Sequence, residues 1–244
     1  MSETQKFSIV IPTLNEEKYI GRLLDSLESQ TYKDFEVIVV DGGSSDKTVD
    51  VCDEYGVIVK TMKGIGEFGQ RNEGIKIANG NIIINTSADV VFPSELLKNI
   101  SVILDSEPDL IGLSGPGIPL NPPLWAKIEY ILYNNLRYLA SKFKIYSIST
   151  NFVACKKEVF AELQFKLKEM NSDGLFGKEL GKFGNIKFVT GLFIFISSRR
   201  MWEAGFIQFN LHYLYVIENF THLNLFDGYK KKVLMRHERS HKKK

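Results

Sequence analysis

Apolar positions along this chain switch repeatedly between two periods. Residues 7–11, Phe7-Ser8-Ile9-Val10-Ile11, predict a strand closed by Pro12. Ile20, Leu23, Leu24 and Leu27 then recur at helical spacing, with Asn15 as the expected cap and Glu16 and Glu17 in the first turn. Residues 35–40 are almost continuously apolar, as a parallel strand covered on both faces should be. They run into Asp41-Gly42-Gly43-Ser44-Ser45-Asp46, a set of turn formers. A helix carrying Val49, Cys52 and Tyr55 follows, then a strand over 57–60, a loop over 64–69, a helix over 71–79 and a strand over 82–84. Another helix is expected to start near Pro93 and Ser94. Strands separated by short helices predict an α/β fold: a Rossmann-like, mostly parallel sheet with right-handed crossovers and helices on both faces.

Beyond Pro108 the pattern loosens. The glycines and prolines of 112–123 predict a rigid, irregular connection. A long helix follows, with Trp125, Ile128, Leu132, Leu136 and Leu139 on one side and Tyr130, Tyr133 and Tyr138 among and around them. Such a stripe is expected to face a core, with contact to a lipid acceptor as the alternative, because Trp and Tyr favour interfaces. Near the end, Phe206, Phe209, Tyr213, Ile217 and Phe220 again keep helical spacing. A basic cluster of Lys230 to Lys232, Arg236, Arg239 and Lys242 to Lys244 comes after them. That region reads either as a packed helix with a solvated tail or as a contact with an anionic membrane.

Composition narrows the classes. With 244 residues, 44% hydrophobic and 25% charged, the chain suits one large folded domain or a domain with an appendage. A net charge of only +2 gives no reason to expect nucleic acid. Cys52 and Cys155 each sit in an apolar pattern and are expected to be buried thiols in a reducing compartment. The start, residues 1–6, lacks the apolar core of a signal peptide, and no apolar run reaches membrane-spanning length. A cytoplasmic location is expected, with association at the cytoplasmic face of a membrane left open.

The chemistry concentrates where the fourth predicted strand ends. Asn81-Ile82-Ile83-Ile84-Asn85-Thr86-Ser87-Ala88-Asp89 stops abruptly in oxygen-bearing side chains. In open α/β sheets ligands bind beyond the carboxyl ends of the strands, and a hard cation carrying phosphates is held there by carboxylates. Asp89 is therefore a candidate metal ligand, or else a cap for the helix near Pro93. Gly64-Ile65-Gly66-Glu67-Phe68-Gly69 fits a dinucleotide-binding pattern and would suggest an NAD(P)-binding oxidoreductase. It follows the third strand rather than the first, so a loop over a site is the preferred reading.

Four ordered motifs carry a resemblance. Residues 8–17 (Ser8-Ile9-Val10-Ile11-Pro12-Thr13-Leu14-Asn15-Glu16-Glu17), 39–48 (with Asp41-Gly42-Gly43-Ser44), 69–74 (Gly69-Gln70-Arg71-Asn72-Glu73-Gly74) and 86–89 (Thr86-Ser87-Ala88-Asp89) closely resemble the nucleotide-binding half of family 2 glycosyltransferases. The resemblance covers roughly the first hundred residues. It implies a GT-A fold and inverting transfer from a nucleotide-diphosphate sugar, with Mg²⁺ or Mn²⁺. It places Pro12, Thr13 and Glu16 around the nucleoside, Asp41 against the base, Arg71 and Ser87 along the nucleotide-sugar pocket, and Asp89 on the metal. Glu16 also fits a first-turn helix charge and Asp41 a turn residue.

Two departures stand out. The D-x-D at the family's metal is Ser87-Ala88-Asp89 here, and Gly42 stands where a second Asp often follows. Both motivate a second reading, a nucleotide-sugar-binding protein with little or no catalysis.

In the later half, Asn151 to Lys156 resembles the strand on the acceptor side. Asn171 to Leu180 resembles the base-bearing loop and helix, with a strand pair after it that closes the sheet. Asp173 falls on the catalytic carboxylate, which takes the acceptor's proton, and a helix N-cap is its alternative role. The expected division is a nucleotide-sugar-binding half over 1–115, an acceptor half over 116–200 and a helical basic tail over 201–244. The acceptor is expected to be a glycan hydroxyl or a polyprenyl phosphate.

Overall fold

The computed structural model describes residues 6–146, 149, 151–165 and 172–221, with residues 172–175 and 212–221 described as backbone only. Two compact units divide the chain, Met1–Ser197 and Ser198–Lys244.

The first unit opens as its periodicity predicts. Strand β1 (Phe7–Thr13), helix α1 (Ile20–Glu28), β2 (Phe35–Asp41), α2 (Thr48–Glu54), β3 (Ile58–Thr61), α3 (Gly66–Ile77) and β4 (Ile82–Thr86) follow one another. Then come β5 (Val90–Val91), α4 (Leu96–Ser106), β6 (Leu110–Ser114), β7 (Gly117–Leu120), α5 (Leu124–Lys142) and β8 (Phe152–Lys156). A 3₁₀ turn over Lys157–Ala161, α6 (Ser172–Leu180), β9 (Asn185–Phe188) and β10 (Ile194–Ser197) complete it.

Seven strands form one sheet in the order β3-β2-β1-β4-β8-β6-β9. Only β8 runs antiparallel to its neighbours. A second, three-stranded sheet has the order β5-β10-β7. Side chains alternate across a strand, so burial on both sides means cover on both faces. Val10, Ile38, Val40 and Ile83 share one core with Ile75 of α3 and with Phe176 and Leu180 of α6. Ile9, Ile11, Val39 and Ile84, which point the other way, are at most 1% exposed. The expected mostly parallel α/β sheet with helices on both faces is what forms.

Three local expectations change. Helix α3 begins at Gly66 rather than Arg71, because Glu67 supplies a first-turn acid and pairs with Arg71 one turn on. Residues 112–123 are not an irregular connection, since most of β6 and all of β7 lie there. Pro119 is tolerated because β7 is an edge strand, where a missing N–H costs no ladder bond. The expected closing strand pair splits, β9 edging the main sheet and β10 lying central in the small one.

The largest reversal is α5. Its apolar stripe does not face the core: Leu124, Ile128, Ile131, Leu132, Leu136 and Leu139 are all more than half exposed. The buried face is Ala126 and Arg137. Arg137 donates from Nη1 to the Gly115 carbonyl at 3.2 Å and from Nη2 to Ser114 Oγ at 3.1 Å. Its guanidinium also lies over the rings of Phe188 (4.9 Å) and Tyr133 (5.5 Å). Asn134 Nδ2 donates to the Gly117 carbonyl at 2.9 Å. Polar side chains thus pin this helix to the sheet and leave its leucines outside.

In the second unit, α7 spans Arg199–Thr221 and is interrupted at Gly205 (φ 66°, ψ 174°). Its backbone includes the expected helix over 206–220; the basic cluster beyond residue 229 lies outside the described residues. Among the described residues no helix is long and apolar enough to cross a membrane. Both cysteines are free and buried, as expected.

Candidate active site

The carboxyl ends of β2, β1 and β4 lie side by side, because these strands are adjacent and parallel. Thr13, the last residue of β1, is in register with Asp41, the last of β2. Thr13 Oγ1 donates to Asp41 Oδ1 at 3.3 Å. Asp41 is 1% exposed and also accepts from the Ser44 hydroxyl and, through Oδ2, from the amides of Gly43 (2.8 Å) and Ser44 (2.9 Å). It shapes the turn after β2 as well as ending the strand.

The loop after β1 is stitched to the loop after β2. Glu16 N donates to Thr48 Oγ1 at 2.8 Å, and Ser45 N donates to Asn15 Oδ1 at 2.9 Å. Asn15, at φ 56°, is therefore not the cap of α1, which starts only at Ile20 after Tyr19. Burial disfavours charge on Asp46, yet hydrogen bonds from the Thr48 hydroxyl and amide and from the Glu17 amide outweigh it. They hold its carboxyl below the usual range. Beneath the loop, burial first, and then the charges of Asp41 and Asp53, push the Cys52 thiol up to about 12, so it stays neutral.

Helix α3 crosses under these loops with a polar buried face of Gln70, Arg71 and Asn72. It approaches β1 so closely that a Cβ on Gly74 would lie 2.4 Å from Val10 Cγ1. Gln70 Nε2 donates to the Thr13 carbonyl at 2.9 Å. The same amide nitrogen would lie 2.5 Å from a Cβ at Gly42. Gln70 thus fills the room that a second acid at 42 would need. Arg71 is fully buried. Its Nη1 donates to the Thr86 carbonyl at 2.8 Å, and its Nη2 to Glu67 Oε1 at 2.8 Å and Ser87 Oγ at 3.3 Å. Its Nε has no partner among the described residues.

Past β4, Ser87 Oγ donates to Asn151 Oδ1 at 2.9 Å. Asp89 is half-buried, and its carbonyl accepts from Ser197 N of β10 at 2.9 Å. It does not cap α4, which begins only at Leu96. Among the described residues no group of three His, Cys, Asp or Glu side chains could hold a metal by itself. The donor set instead fits a cation held by one carboxylate and completed by substrate phosphates and water, a mode suited to Mg²⁺.

Pro12, Thr13, Asp41, Arg71 and Ser87 are thus brought together at the carboxyl ends of β1, β2 and β4, with Glu16 in the loop after β1 and Asp89 just past Ser87. Asp173 lies in the first turn of α6, and its side chain is outside the described residues. The sequence reading passed over Gln70, Ser44, Thr48 and Asn151, which bond the site residues directly, although each lies within or beside a quoted motif. It also passed over a seam from α3 to α6. Asn72 exchanges two hydrogen bonds with the Phe165 backbone (2.9 and 3.0 Å), and the rings of Phe68, Phe165 and Phe176 stack in series.

Residues 8–164, well over half of the chain, match the sequence model of the family described as Glycosyl transferase family 2. The chain belongs to that family. Among its relatives, a dolichyl N-acetyl-alpha-D-glucosaminyl phosphate 3-beta-D-2,3-diacetamido-2,3-dideoxy-beta-D-glucuronosyltransferase of Methanococcus voltae is 34% identical over 140 residues, 52% of this chain and 44% of that protein. The poly(ribitol-phosphate) beta-N-acetylglucosaminyltransferase TarS of Staphylococcus aureus is 34% identical over 157 residues, 58% of this chain and 27% of TarS. The chain thus spans less than half the length of either. The structure of S. aureus TarS 1-349 in complex with UDP superposes with a TM-score of 0.65 at 24% identity, covering 79% of this chain and 60% of that one. The Pyrobaculum calidifontis mannosyltransferase PcManGT, in complex with GDP-Man and Mn²⁺, gives 0.64 at 22%, covering 80% and 57%. This family 2 chain therefore has the GT-A fold.

Proposed function

We propose that this family 2 chain is an inverting glycosyltransferase that moves a sugar from a UDP- or GDP-sugar to a hydroxyl or polyprenyl-phosphate acceptor. The observation that carries the reading is the joining of Thr13, Asp41, Arg71 and Ser87 at the carboxyl ends of β1, β2 and β4. Strand order reverses about β1 there, which is where α/β sheets bind nucleotides.

The donor's nucleoside lies over Pro12, Thr13 and Glu16, and the Asp41 carboxylate exchanges one of its bonds from the Thr13 or Ser44 hydroxyl for one from an N–H of uracil or guanine. Arg71, tethered by Thr86 and Glu67, offsets diphosphate charge beside Ser87. Asp89 would hold a Mg²⁺ or Mn²⁺, which supplies charge stabilisation to the departing diphosphate. Asp173 takes the proton of an acceptor hydroxyl as that oxygen bonds the anomeric carbon from the opposite face. The carbon–oxygen bond to the diphosphate breaks with its electron pair leaving on the nucleotide. Residues 1–115 form the donor half and 116–200 the acceptor half, with 201–244 as a tail. Peripheral contact of the basic C-terminal cluster with the cytoplasmic face of a membrane belongs to the same proposal.

A panel of UDP- and GDP-sugars incubated with and without Mn²⁺ tests the reading, with the anomeric configuration of the product followed by NMR. Metal-stimulated turnover with inversion supports it, and retention of configuration contradicts it. Binding without turnover under any metal would favour the second reading, a nucleotide-sugar binder. The neutral Ser87, bonded to Asn151 where an acid is usual, motivates that alternative.

A further inference from the structure

Helix α5 is amphipathic in the inverted sense, and that inversion needs an occupant. Seven large apolar side chains, Leu124, Ile128, Ile131, Leu132, Leu136, Leu139 and Phe143, are 52% to 74% exposed on successive turns and at the helix end. Ile145, just beyond, is 61% exposed. A soluble surface seldom carries so long an apolar stripe without a partner. The inward face cannot be exchanged for it, because Arg137 and Asn134 hold the helix to Ser114, Gly115 and Gly117.

Charge says which partner fits. The exposed side chains interspersed with and following the stripe include Lys127, Lys142 and Lys144. The one carboxylate of the helix, Glu129, is half-buried. Tyr138 sits on the same side, with Lys142 Nζ 4.7 Å from its ring centre. Trp125 and Tyr130 are half-buried. Leucines and isoleucines outermost, aromatics at the boundary, lysines and no exposed acid: this is the chemistry of a helix lying in the plane of an anionic bilayer. A second copy of the same face would set lysines against lysines, and protein interfaces are depleted in Lys.

We propose that α5 docks flat on an anionic lipid surface, its leucine stripe entering the headgroup boundary and Lys127, Lys142 and Lys144 meeting lipid phosphates. The proposal does not depend on the sugar-transfer reading.

The full chain is tested by co-sedimentation with vesicles of equal parts phosphatidylglycerol and phosphatidylcholine, and with phosphatidylcholine vesicles alone. Binding is expected only with the former. The variant Ile128→Gln/Leu132→Gln/Leu136→Gln is expected to bind about tenfold more weakly or worse while keeping its circular dichroism and melting temperature, since all three sites are exposed. The variant Lys127→Glu/Lys142→Glu/Lys144→Glu should lose a comparable factor. Unchanged binding by both variants, or equal binding to neutral vesicles, overturns the proposal. A polarity-sensitive dye on Leu132→Cys reads the same face directly, because Cys52 and Cys155 are buried. Its emission should be that of a water-exposed group in solution and shift to the blue only with anionic vesicles. A blue-shifted emission before any vesicle is added would mean that a second copy or another part of this chain already covers the stripe, and would overturn the proposal.

Discussion

Arg71 Nη2 lies 3.3 Å from the Ser87 hydroxyl, so a fully buried cation meets a neutral group where the family usually carries an acid. The guanidinium is kept in place by the Thr86 carbonyl and Glu67 instead. A carboxylate at 87 would find its counter-charge ready. Ser87→Asp is expected to fold with unchanged or slightly raised stability and to bind Mn²⁺ several-fold more tightly in the presence of UDP or GDP. Calorimetric titration checks this, and weaker cation binding would contradict it.

Loss of Arg71 should act on the fold as well as on the ligand. Arg71→Met removes the guanidinium that donates to the buried Thr86 carbonyl and pairs with Glu67. A cost of about 2–4 kcal/mol is expected in urea unfolding, because a buried acceptor loses a charged donor. Arg71→Lys should recover only part of it, since an ammonium cannot reach Thr86, Glu67 and Ser87 together.

Gly42 and Gln70 are coupled by space. Gly42→Asp alone sets a Cβ 2.5 Å from Gln70 Nε2 and is expected to destabilise by roughly 1–3 kcal/mol. Adding Gln70→Ala should restore much of that. A double-mutant cycle with no coupling would show that the two side chains do not compete.

Glu36 offers a pH signature remote from the site. Burial opposes its charge, but hydrogen bonds from Ser8, from the Asn79 amide and side chain and from the Gly80 amide prevail, and its carboxyl is held below its ordinary value of 4.5. A depressed folded-state pKa contributes stability that is present above the unfolded value and lost as pH falls through the folded one. The stability difference between wild type and Glu36→Gln should therefore be flat above about pH 5 and shrink below about pH 4.5. A difference that grows on acidification would contradict this.

Much of the fold was legible in the chain because β1, β2 and β4 and helix α1 bury what their periodicity says they bury. Helix α5 was misread for a definite reason. Periodicity reports that a helix has two faces but not which one its neighbours hold, and here Arg137 and Asn134 decide it through contacts distant in sequence. Gly42 posed a similar problem. As a missing acid it suggested lost function, whereas its packing against Gln70 is a three-dimensional fact. Asp41 and Ser87 could be placed at the ends of strands because short motifs mark those ends, and Arg71 on the helix between them. Which neighbours bond them, such as Asn151 to Ser87 and Ser44 to Asp41, is set by the fold and not by the motif that contains each residue.

The most direct measurement is electron paramagnetic resonance of Mn²⁺ titrated into the protein with UDP or GDP. Wild type is expected to deplete the free-ion signal in a nucleotide-dependent way. Asp89→Asn should leave that signal near its protein-free level while keeping the wild-type melting temperature. A wild-type protein that leaves free Mn²⁺ undiminished with either nucleotide, or an Asp89→Asn protein that binds it equally well, would contradict a diphosphate-bridged cation at the end of β4.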